Sequence, residues 1–112
     1  MFIPNALAQQ SLASKLNLKF DNSMQDWEYE VADKTRLQDF IDEYEKSKTS
    51  DDEMSSLMEI ILDSLNDLLV QNGHTAEFKK HLAWVKNRLP KEIHADSLIY
   101  WKMNSFEISK FL

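Results

Sequence analysis

The sequence predicts an all-α, single-domain bundle of about five helices arranged around one central, buried helix. Three observations carry that expectation. One glycine and two prolines in 112 residues are too few for the many tight connections of an all-β fold. Apolar residues recur at spacings of three and four through most of the chain, the period of a helix. The stretch from Ser50 to Gly73 is apolar around more of its circumference than a surface helix needs to be.

In chain order, Asn5 can cap a first helix reaching about Asn17, with Ala8, Leu12, Ala13 and Leu16 as its stripe and Phe20 as an anchor after it. So thin a stripe predicts a peripheral helix. Between Met24 and Ala32, Trp27, Tyr29 and Val31 alternate with Glu28 and Glu30, which taken alone is a strand pattern. A lone strand would lack a mate, so an extended segment and a short helical turn on the core both stay open. Asp33 can cap the next helix, from Lys34 to about Lys48, whose Leu37, Phe40, Ile41 and Tyr44 fall on one face. The short linker from Ser47 to Ser50 predicts an antiparallel hairpin with the central helix.

Ser50, with Glu53 three residues on, has the spacing of a capping box. Met54, Leu57, Met58, Ile61, Leu62, Leu65, Leu68 and Leu69 follow on one helical face. Ile60 widens that face, so this helix needs neighbours on more than one side. Gly73 is its stop. Thr75 can cap a further helix from Ala76 to Arg88, with Phe78, Leu82, Val85 and Leu89 inward and Trp84 on the flank. Lys86 and Arg88 suit its last turn, and Pro90 ends it. The final part, from His94 to Leu112, is dense in large side chains, and its run from Leu98 to Trp101 fits a buried helix turn or a short strand. Helical neighbours favour the helix.

With 43% hydrophobic and 29% charged residues, the chain has the composition of a globular domain. It has no cysteine, so thiolate chemistry and disulfides are excluded, and no apolar run long enough to span a bilayer or act as a secretion signal. The expectation is a soluble cytoplasmic protein, monomeric before it binds a partner. The net charge of −6 is unevenly spread: residues 26–67 carry 14 acids and four bases, a local charge of −10. Such a field attracts a positive partner, and it argues against direct nucleic-acid binding and against anionic membrane surfaces.

Glu59, Asp63 and Asp67 recur every four residues along the central helix, on what the pattern gives as its outer face, with no basic residue in the helix to relieve them. Asp39, Asp42 and Glu43 project from the preceding helix. These six acids are the candidate partner-binding residues. Trp27 joins them as an apolar contact, because Asp26, Glu28 and Glu30 should keep its surroundings near water. No catalytic, cofactor or metal site is expected: Glu77 and His81 share a helical face but are too few for zinc, and one glycine cannot build a phosphate-binding loop or a nucleophile elbow.

The stretch from Gln25 to Asp33, the helix through Leu37, Phe40 and Tyr44, and the Tyr100-Trp101 pair before Phe106-Glu107-Ile108-Ser109 resemble a group of short bacterial proteins without assigned activity. A small, acidic, cysteine-free helical chain is also similar to the immunity proteins that protect toxin-producing bacteria, including those of contact-dependent growth inhibition. The resemblance implies neutralisation of a toxin, and the charge of −10 over residues 26–67 makes the expected toxin a basic one, a nuclease domain. The alternative is a helical adaptor or regulatory subunit that binds a host protein through the same surface.

Overall fold

A computed structural model describes residues 2–21, 23–46 and 50–112, and every regular element among them is helical. The order is α1 (Ala6–Leu16), α2 (Trp27–Glu30), a 3₁₀ turn at Lys34–Arg36 leading into α3 (Leu37–Lys46), α4 (Asp51–Asn72) and α5 (Ala76–Arg88). A second 3₁₀ turn, Glu92–His94, leads into α6 (Ala95–Met103), and a 3₁₀ segment at Glu107–Phe111 closes the chain. The fold is all-α, with α1, α2, α3, α5 and the closing segment all packed on α4.

α4 begins where its cap predicts. The Ser50 hydroxyl accepts from the Glu53 amide at 3.2 Å, and Gly73 closes the helix with φ of 79° and a hydrogen bond to the Leu69 carbonyl. Leu57, Met58, Ile60, Ile61, Leu62 and Leu65 are completely buried. Burial of each such side chain is worth about 1.5–3 kcal/mol, against about 1 kcal/mol for the cap. Burial therefore decides that α4 forms, and the cap decides where it starts. The Glu53 carboxylate does not complete a capping box. It turns to α1, where Ser11 Oγ and Lys15 Nζ each donate to Oε1 at 2.9 Å.

Several sequence expectations are corrected by the packing. α1 is capped by Asn5 and ends at Asn17 in a left-handed conformation (φ 55°), as its sequence suggests, yet it is no peripheral helix: Leu12 is fully buried in the shared core. The segment from Met24 to Ala32 resolves as the short helical turn α2. In α5, capped by Thr75, His81 is buried and Leu82 only partly so. The run from Leu98 to Trp101 is helical but not buried all round, since Ile99 and Tyr100 are exposed and Trp101 alone of the four is fully enclosed. The expected end of the α3 helix near Lys48 and most of the linker to Ser50 lie outside the described residues.

Candidate functional site

The polar side of α4 is covered by other elements, and this changes the expected site. Asn66 Oδ1 accepts from the Ile108 amide at 2.9 Å, Ser64 Oγ accepts from the Asp33 amide at 2.9 Å, and Ser56 Oγ donates to Glu28 Oε2 at 3.0 Å. Glu59 lies between α2 and α6 and is 1% exposed. Its Oε1 takes the Tyr29 hydroxyl at 2.7 Å, its Oε2 takes the Trp101 indole N–H at 3.1 Å, and Ser97 supplies a further side-chain hydrogen bond. Burial pushes the Glu59 carboxyl above its ordinary value, with Glu28 adding to the effect, while the three donors pull it back. Tyr29 is pushed up as well, by burial first and then by Glu59, so its phenol remains the donor.

Above these groups opens a cleft of about 500 Å³. Glu28, Tyr29 and Glu59 line its inner part, and Gln25, Asp26 and Asp96 bring further polar groups to it. Phe2 and Pro4 from the N-terminal segment and Ile99 and Tyr100 from α6 supply apolar wall. No lysine or arginine among the described residues lines it. The chemistry is that of a negatively charged, partly apolar recess. Its two inner carboxylates are already tied to fixed donors, which suits recognition of a cation better than proton transfer.

The seven candidate residues do not form one surface. Asp39, Asp42 and Glu43 lie beside Lys15, Arg36 and Lys46 around a shallow groove between α1 and α3, and Arg36 Nε pairs with Asp39 at 3.0 Å. Their field is thus partly neutralised locally. Asp63 and Asp67 remain partly exposed on α4. Burial, Asp67 and Glu59 together push the Asp63 carboxyl up to about 6, and burial raises Asp67 as well, opposed by Lys34. Glu59 is a floor group of the cleft, and its expected place on an outer face is corrected.

The expectation for Trp27 is corrected too. It is fully buried, packs edge-on against Phe20 at 6.3 Å, and donates its indole N–H to the Lys19 carbonyl at 2.6 Å. The acids around it point away because α2 is a helix, which turns neighbours in sequence to different sides. Glu28, Tyr29 and Tyr100 are the cleft residues that sequence reasoning missed. The alternating pattern from Trp27 to Val31 flagged the segment without showing which side chains would turn inward. Glu77 and His81 stand 4.0 Å apart, and no group of three or more potential metal ligands is present among the described residues. No helix among the described residues is long and apolar enough to cross a membrane. No protein-family model, curated protein or solved structure matches this chain.

Proposed function

We propose that this protein is an immunity protein that binds and neutralises a basic toxin, a nuclease domain, with the acidic cleft as its principal contact. The observation that carries the reading is the cleft itself, with two buried carboxylates at its floor, apolar walls and no lysine or arginine among its described lining; Asp26, Glu28 and Glu59 come to it from residues 26–67, the part of the chain that holds a net charge of −10. A nuclease must attract phosphate and therefore displays basic side chains. A rigid acidic recess can capture them and keep the substrate out, while the wider negative field speeds encounter.

Affinity capture of the tagged protein from its own cells, followed by a nuclease assay on the captured partner, tests the reading. The expected result is a basic, nucleic-acid-cleaving partner whose activity disappears on addition of one equivalent of the purified protein. A housekeeping or acidic partner, or a basic one whose activity is unaffected, overturns it and favours the adaptor.

A further inference from the structure

The cleft floor holds one carboxylate oxygen that the fold leaves open. Glu28 is 2% exposed, and both of its hydrogen bonds among the described residues, from Gln9 Nε2 and Ser56 Oγ at 3.0 Å each, end on Oε2. Oε1 takes none among the described residues, and the side chain lines the cleft. That oxygen is not sealed in the core, where His94 Nδ1 is the buried side-chain atom left without a partner among the described residues; it is reached from the cleft, beside the Glu59 carboxyl. A cation that brings its own donors can bond Oε1 from the cleft.

Building on the toxin-binding reading above, we propose that the cleft is a socket for a single arginine side chain of the partner, with the guanidinium at Glu28 Oε1. The choice of arginine follows from the walls. A guanidinium is planar and weakly hydrated, and it stacks on aromatic faces, whereas an ammonium is compact and strongly hydrated. Tyr29 and Tyr100 supply aromatic surface, and Ile99 and Pro4 supply apolar surface for the aliphatic stem. A metal ion is a poor fit, because Glu59 already spends both oxygens and Glu28 one on internal donors. Beyond the mouth, Ile99, Tyr100 and Met103 of α6 are exposed at 57, 44 and 81%. They provide an apolar margin on which the partner's flanking residues can rest.

The indole signals of the three tryptophans give an internal readout. Trp101 donates to Glu59 at the cleft floor, whereas Trp27 donates to the Lys19 carbonyl. N-acetyl-arginine amide titrated into the ¹⁵N-labelled full chain should move the Trp101 indole signal saturably and leave Trp27 in place. The matched lysine derivative should bind several-fold more weakly, and Glu28→Gln should weaken arginine binding at least tenfold. Tyr100→Ala, at an exposed wall position whose side chain makes none of the hydrogen bonds to Glu28 or Glu59, should weaken it as well and serves if Glu28→Gln does not fold.

A Trp101 shift no larger than that of Trp27, equal binding of the lysine derivative, or an unchanged affinity in these variants would overturn the socket. The two readings fail separately. A basic toxin captured and neutralised equally well by wild type and by a folded Glu28→Gln removes the socket and leaves the immunity function. Saturable arginine binding without a basic partner leaves the socket and removes that function.

Discussion

Glu59 joins three donors from two elements, Tyr29 of α2 and Ser97 and Trp101 of α6, to the central helix. Replacing it with Leu strands all three, and at about 1–3 kcal/mol for each buried group left without a partner the variant should lose at least about 3 kcal/mol in urea denaturation. His94 is the opposite case, a buried base kept neutral. Burial, reinforced by Lys91, lowers its pKa to about 4, and its Nε2 lies 2.7 Å from the Tyr44 hydroxyl, itself pushed up by burial to about 12. Unfolded, the imidazole takes up a proton near 6.5. Its contribution is therefore complete above that pH and is lost as the pH falls toward 4, by up to about 3 kcal/mol. Urea denaturation of wild type and His94→Gln across this range should show the gap between them closing as the solution is acidified.

Asp63 has the opposite sign. Its folded pKa of about 6 lies above the ordinary 3.8, so the charged form burdens the folded state above pH 6, and the burden fades toward pH 4. Asp63→Asn should stabilise the protein by about 1 kcal/mol at pH 8, once solvent screening is allowed for, and by nothing measurable near pH 4. Neither effect could be read from the sequence. The sequence shows that position 59 is a glutamate four residues before an aspartate, but the shifts depend on what covers them.

At the scale of the element, α4 separates what periodicity reveals from what it conceals. Its start, its end and its apolar breadth were all legible, because capping and the helical period are local properties. By the helical pattern Glu59 belongs to an outer, acidic face, and nothing in the sequence marks Ser56, Ser64 or Asn66 for a buried partner. Each instead receives or anchors a neighbouring segment through hydrogen bonds spanning 28 to 42 residues of sequence. A single sequence carries no signal for such pairings. Trp27 misled for a related reason, since acidic neighbours in sequence need not be neighbours in space once the segment turns helical. The closing segment offers a local check: Asn66→Ala removes the acceptor for the Ile108 amide and should speed hydrogen exchange across residues 107–111 while leaving α3 unchanged. Equal protection in the variant would mean that burial of Ile108 alone holds the segment.

For the whole molecule, the negative charge of residues 26–67 is distributed over two places. The α3 acids lie at the surface, interleaved with Lys15, Arg36 and Lys46, whereas Glu28 and Glu59 lie in the cleft; under the proposed toxin-binding function the first set steers encounter and Glu28 meets the partner directly. Charges at the rim of an interface chiefly govern encounter and its salt dependence, while buried contacts chiefly govern dissociation. The most direct measurement is stopped-flow association and dissociation of the captured partner with wild type, with Asp39→Lys/Asp42→Lys and with Tyr100→Ala. The α3 pair should slow association several-fold at low salt with little change in dissociation, and the cleft variant should speed dissociation with association nearly intact. A cleft variant indistinguishable from wild type, beside an α3 variant that releases the partner, would place the interface on α3 and rule out the cleft as the principal contact.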